Sequence, residues 1–308
     1  MKGLVIKSTG SWYQVRTETN EIIPCRIKGK FRLDGIKHTN PIAVGDYVEY
    51  EIEAKNEQVT AVINKIYDRK NYIIRKASNL SKQTHIIASN IDQAMLVASL
   101  VHPQTSLGFI DRFVMTAEAY HIPAVIIFNK SDLCEGELKE ILEETMKIYS
   151  QIGYTCFETS VINGRNTEEL KSLLKDKTTL VAGQSGVGKS SLLNKISPGL
   201  NLRIGDISAF SQKGTHTTTF AEMFELSFGG NIIDTPGIKE FGIVDFNESE
   251  ISHYFKEFKK FIPQCKFNNC KHLNEPDCAV KNAVNNQLIS TERYQSYINI
   301  LTKKDYYE

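Results

Sequence analysis

The sequence predicts a multidomain chain. It has an OB-like β-barrel at the N-terminus, a central α/β P-loop domain, and a mainly helical C-terminal segment around a Cys/His cluster. Three observations predict this. Short strands broken by turn residues fill residues 1–68. From Asp92 onward, strands alternate with helical patterns and lead into a glycine-rich loop. Three cysteines and one histidine then fall between Cys265 and Cys278. At ~100–200 residues per domain, 308 residues suggest two or three domains, and the changes of pattern divide them at 1–76, 77–242 and 243–308.

The barrel reading rests on period-two alternation. Leu4, Val5 and Ile6 stop at Thr9 and Gly10, and residues 12–15 stop at Thr19 and Asn20. Residues 22–27, 44–52 and 59–63 complete five short strands, a count and size that fit an OB barrel. Residues 78–90 are polar and read as a linker. Beyond them, residues 94–101, 124–128, 154–158 and 179–182 read as strands. Helical spacing joins Phe109, Phe113, Ala117 and Tyr120, and helices are also expected at 137–151, 167–174 and 189–196. This alternation implies a parallel sheet.

Composition narrows the function classes. The N-terminus carries no signal-peptide pattern, and no run reaches the ~20 apolar residues of a membrane span. A cytosolic monomer without membrane contact is expected, with its cysteines used for metal rather than disulfides. The net charge of +1 hides an asymmetry. Residues 1–76 hold 14 Lys and Arg against 9 Asp and Glu, and residues 77–242 hold 14 against 18. A basic front part suits either a polyanionic partner or a solvated surface. Arg26, Lys28, Lys30, Arg32 and Lys37 surround Phe31, a pattern of single-stranded nucleic-acid grooves and also of plain loops.

The chemistry centres on Gly183-Gln184-Ser185-Gly186-Val187-Gly188-Lys189-Ser190, which matches G-x4-G-K-[S/T] between a strand and a helix. Its glycines let backbone N–H groups turn towards phosphate oxygens, and the helix N-terminus adds partial positive charge. Lys189 is expected at the β- and γ-phosphates, with Ser190 on Mg2+ and Ser191 completing the site. Asp234-Thr235-Pro236-Gly237 follows an apolar strand. It would place Asp234 near Mg2+ and the Gly237 N–H at the γ-phosphate. Asn129-Lys130-Ser131-Asp132 is an N-K-x-D: Asp132 can accept from both edge donors of guanine, a pair that adenine lacks. Ser160 fits the loop behind the base, although Val161 stands where alanine is usual. The guanine-reading motifs precede the phosphate loop, so the domain is circularly permuted. Such a permutation needs neighbouring termini.

Together these motifs resemble the small-ribosomal-subunit biogenesis GTPases of the RsgA (YjeQ/YloQ) type. The resemblance rests on residues 183–191, 214–219 and 265–280 and covers nearly the whole chain. It implies a late assembly factor that binds the 30S subunit and its 16S rRNA and hydrolyses GTP, leaving GDP, when docked there. One of Thr217, Thr218 and Thr219 is expected to complete the Mg2+ shell, with Thr218 as the choice, unless the threonines only start the next strand. Ile238 stands where Ras-type enzymes carry the water-orienting glutamine, so slow intrinsic turnover is expected, with His216 as the local candidate to place the water. Cys265, Cys270, His272 and Cys278 would hold one structural Zn2+ with no open position for water. A second reading is a binding module whose nucleotide only gates RNA or protein contacts. An ATPase conflicts with Asn129 and Asp132. Residues 238–245 would link nucleotide state to the orientation of the zinc segment, or act only as a tether.

Overall fold

The computed structural model describes residues 1–27, 41–55, 58–76, 84–202, 221–234 and 246–302. Five strands form the front unit: β1 (Lys2–Ser8), β2 (Tyr13–Thr17), β3 (Ile22–Ile27), β4 (Tyr47–Lys55) and β5 (Gln58–Ile66). They run in the order β1-β2-β3-β5-β4, and β4 pairs back on β1, closing the barrel. The pair β3–β5 is parallel and the rest are antiparallel, the connectivity of an OB barrel. Alternation sends Val5, Tyr13, Val15, Cys25, Val48, Tyr50, Ala61 and Ile63 into one core.

The expected linker is a partial miss. β6 (Tyr72–Lys76) and β7 (Thr84–Ser89) form an antiparallel pair, so part of 78–90 is a strand. Ile86 and Ala88 are buried, and Ala88 bridges to Val44 beside the barrel. The buried Asp46 carboxylate holds this corner: it accepts from Arg69 twice at 2.6 Å, from Ser89 at 2.5 Å and from the Ala43 N–H at 2.8 Å.

The central sheet contains β8 (Gln93–Ala98), β9 (Ala124–Phe128), β10 (Thr155–Glu158), β11 (Thr178–Ala182), β12 (Glu222–Glu225) and β13 (Asn231–Asp234). Its order is β10-β9-β8-β11-β13-β12, parallel except at β12. Helices α1 (Leu107–Ala119) and α2 (Glu137–Ile152) cover one face. α3 (Thr167–Leu174) and α4 (Lys189–Ile196) cover the other. Strand residues divide accordingly: Leu96, Ile126 and Leu180 join the α1 side, and Val97, Ile127 and Val181 the α3 side. The permutation is visible in one connection. Only residues 175–177 separate α3 from β11, so the joint between the two halves is a tight turn rather than a detour.

The barrel continues this sheet: β1 pairs with β12 at Lys7↔Glu222, and Arg16 donates to Glu225 at 2.7 Å and Asn231 at 2.8 Å. At the other end, α5 (Glu248–Ile251), α6 (Ala279–Asn285) and α7 (Thr291–Thr302) enclose an aromatic core with Phe255, Phe258 and Tyr297. This unit packs on α1. Arg293 of α7 is 1% exposed and donates to Asp111 of α1 at 2.6 Å and to Glu257 at 2.7 Å. Tyr149 of α2 also donates to Asp111, at 2.6 Å. Burial opposes the Arg293 charge, but the carboxylates of Asp111 and Glu257 outweigh it and hold the guanidinium protonated. α1 is thus clamped between the sheet and the C-terminal unit, with Met115 on the latter side. No described helix is long and apolar enough to cross a membrane.

Candidate nucleotide site and metal cluster

The phosphate loop leaves β11 at Ala182 and enters α4 at Lys189. Two glycines make its path possible. A Cβ on Gly183 (φ 145°) would lie 2.2 Å from the Val97 carbonyl oxygen, and one on Gly188 (φ 92°) 2.5 Å from Asn129 Nδ2. The backbone N–H groups of residues 185–190 find no acceptor among the described residues, which leaves a ring of donors for an anion. Lys189 is buried and folds back on the loop, donating to the carbonyls of Gly183 and Gln184, each at 2.6 Å. Burial pulls its pKa down to about 8, against the opposing field of Asp234. Ser190 is buried beside it, at the first turn of α4. Val181 pairs with Asp234, so the phosphate loop and the D-x-x-G motif start from adjacent strand ends.

The N-K-x-D loop is bolted to the phosphate loop. Asn129 Nδ2 donates to the Val187 carbonyl at 2.9 Å, and Lys130 Nζ to the Gly186 carbonyl at 2.7 Å. Lys130 also donates to the His102 carbonyl. Thr159 Oγ1 returns a hydrogen bond to Asn129 Oδ1 at 3.1 Å, and the Ser131 N–H donates to the Thr159 carbonyl at 3.0 Å. Three loops from β9, β10 and β11 are therefore one hydrogen-bonded unit. Asp132 sits half-buried in the turn Ser131–Leu133. Ser160 is fully buried, and its Oγ accepts from the N–H groups of Ile162 at 3.2 Å and Asn163 at 3.4 Å. That turn leaves the Val161 N–H without an acceptor among the described residues, and a backbone donor does not depend on alanine being at this position. Thr159 is a part of the site that sequence reasoning missed; its signal was its place between the strand end and Ser160.

The C-terminal cluster is built differently. One donor atom from each of Cys265, Cys270, His272 and Cys278 lies within 4.8 Å of the others. His272 Nδ1 is 3.6 Å from Cys265 Sγ and 3.4 Å from Cys278 Sγ, and the two sulfurs are 4.0 Å apart. A tetrahedral zinc site with Zn–S bonds of ~2.3 Å has edges of about 3.8 Å, so the four groups fit such an ion. Burial pushes the Cys270 thiol up to about 12 and keeps the His272 imidazole neutral, as a ligand nitrogen must be. Two hydrogen bonds tie the loop to α7: Tyr294 donates to the His272 carbonyl at 2.6 Å and Tyr297 to the Lys271 carbonyl at 2.7 Å. Phe258, buried in the C-terminal core, packs edge-on against His272.

His216, Thr218, Gly237 and Ile238 lie outside the described residues, as do the linker stretch 238–245 and Lys28, Lys30, Phe31, Arg32 and Lys37 of the barrel.

Comparison with known proteins bears on the whole chain. Residues 66–244 match the RsgA GTPase family, and residues 2–60 match the RsgA N-terminal domain. A Phocaeicola vulgatus protein described as "Small ribosomal subunit biogenesis GTPase RsgA" is 54% identical, over 99% of this chain and 97% of its own length. A Flavobacterium psychrophilum protein of the same description is 53% identical, over 99% and 94%. Among solved structures, YjeQ from Thermotoga maritima superposes with a TM-score of 0.79 at 38% identity, covering 98% of this chain and 97% of that one. YloQ, described as a circularly permuted GTPase, gives 0.73 at 31% identity, covering 98% and 94%.

Proposed function

The chain belongs to the RsgA GTPase family, and from that membership we propose that it is an assembly factor of the small ribosomal subunit, hydrolysing GTP while docked on the 30S particle. As a member of that family it is a GTP hydrolase. The observation that carries the reading is the lock between guanine and phosphate loops, Asn129 on Val187 and Lys130 on Gly186. It supports a site that reads base and phosphates together.

In this reading Asp132 accepts from the guanine edge, and the Val161 N–H beside Ser160 faces the base carbonyl. Lys189 leaves the carbonyls of Gly183 and Gln184 for the β- and γ-phosphates, whose charge strengthens its hold on the proton. The loop N–H groups, with Ser185 and Ser191 at its margins, cradle the phosphate oxygens. Ser190 and Thr218 hold Mg2+, with Asp234 close by, and the ion neutralises charge on the phosphates when bound. Gly237 senses the γ-phosphate, and His216 orients water in place of the glutamine missing at Ile238. The division at 1–76, 77–242 and 243–308 gives each role its own unit. The basic barrel faces 16S rRNA, and Cys265, Cys270, His272 and Cys278 hold a structural Zn2+. The protein works as a cytoplasmic monomer.

The test is GTP turnover titrated with isolated 30S subunits. Turnover should be slow alone and rise many-fold with subunits, and His216→Ala should lose most of that rise while keeping GTP affinity. A rate indifferent to subunits would favour the nucleotide-gated binding module instead.

A further inference from the structure

Gln184 is the second residue of the phosphate loop, and its side chain is unaccounted for. Its backbone carbonyl accepts from Lys189 at 2.6 Å, so the residue is fixed in the loop. Its side-chain oxygen, Oε1, is shielded from solvent and has no hydrogen-bond partner among the described residues. Native proteins pair nearly all such atoms, and an orphan at a functional site calls for a reason. The loop that carries Gln184 leaves β11 beside the strand end that opens the D-x-x-G motif, since Val181 three residues earlier pairs with Asp234. The chain also lacks an amide at the usual place, since Ile238 follows the D-x-x-G glycine.

We propose that the Gln184 amide is a positioning residue for hydrolysis, its Oε1 accepting a hydrogen bond from a water that the γ-phosphate orders. The inference rests on the GTPase reading of the loop. A buried acceptor left open in the nucleotide-free protein costs stability in that state. The cost is recovered when GTP, but not GDP, brings the donor. Gln184 thereby couples the conformation of the phosphate loop to the third phosphate. It acts through the water and the loop rather than by touching the transferred group.

Two signatures separate this role from a packing role. Gln184→Met keeps length and bulk but has no acceptor oxygen of this kind. In full-length protein without nucleotide, its melting temperature should equal or exceed the parent's, because an unmet acceptor is gone. The ratio of affinities for a non-hydrolysable GTP analogue over GDP, with Mg2+, should fall about tenfold, the size of one buried hydrogen bond. kcat should fall while KM changes less. Gln184→Ala should reproduce the ratio even if its cavity lowers the melting temperature. A lower melting temperature for Gln184→Met with both nucleotides weakened alike would overturn the proposal in favour of a packing role. No change in the ratio would overturn it as well. A parent protein that binds neither nucleotide would overturn the GTPase reading and this inference with it.

Discussion

The phosphate loop and the Cys/His cluster are both short loops leading into helices, yet they are held by opposite means. The phosphate loop is shaped by the protein alone: glycine conformations, two bolts from Asn129 and Lys130, and a lysine parked on its carbonyls. The cluster gathers three thiols and an imidazole within 4.8 Å of one another, and the contacts among Cys265, His272 and Cys278 are long and weak, at 3.4 to 4.0 Å. The difference teaches where each ligand's binding energy goes. A nucleotide meets a site that is already built, whereas a metal ion would build its own.

The largest expected effect comes from breaking the second kind of site. Cys270→Ser, or stripping the metal with a strong chelator, should unfold the C-terminal unit. Metal analysis of protein prepared without chelator should find about one zinc per chain. Because Arg293 packs on Asp111, circular dichroism should show lost helix and the remaining melt should broaden. A variant that keeps its full helical signal and one transition would show that the loop stands without metal.

A smaller effect is expected at the built site, where one group can be changed without losing the loop. Asp132→Asn should weaken GTP by about 100-fold, the size of two charge-assisted hydrogen bonds, and shift preference towards xanthosine triphosphate. Equilibrium binding measures both nucleotides, and unchanged GTP affinity would displace the base from this loop.

The smallest effect is a pH dependence. Lys189 in the nucleotide-free protein sits at about 8, lowered by burial, and phosphates raise it on binding. Below about pH 8 the ammonium is already present. Above it, binding must take up a proton, so affinity falls as pH rises. A GTP analogue should bind about tenfold more weakly at pH 9 than at pH 7. A flat profile would mean that Lys189 is not desolvated in the free site.

Much of this was legible in the sequence. The phosphate loop announced itself because its glycines are required by close approaches, as at Gly183 against Val97. The barrel strands were legible from alternation, since one face is buried. What escaped depends on partners far along the chain. β7 has only Ile86, Ile87 and Ala88 between polar neighbours, and its pairing with β6 and Val44 decides its state. Asp111 lies inside an otherwise apolar helix face, a hint of a buried partner, but nothing local names Arg293, 182 residues away. The ties from Asn129 and Lys130 to the phosphate loop were hidden behind their better-known place in the guanine motif.

Native-state hydrogen exchange before and after chelation tests the contrast between the two sites most directly. The account predicts that amides in residues 262–302 lose protection when the metal is removed, while those in β11 and α4 on either side of the phosphate loop keep theirs with no nucleotide present. Protection that survives chelation in the C-terminal unit, or that appears around the phosphate loop only when GTP is added, would contradict it.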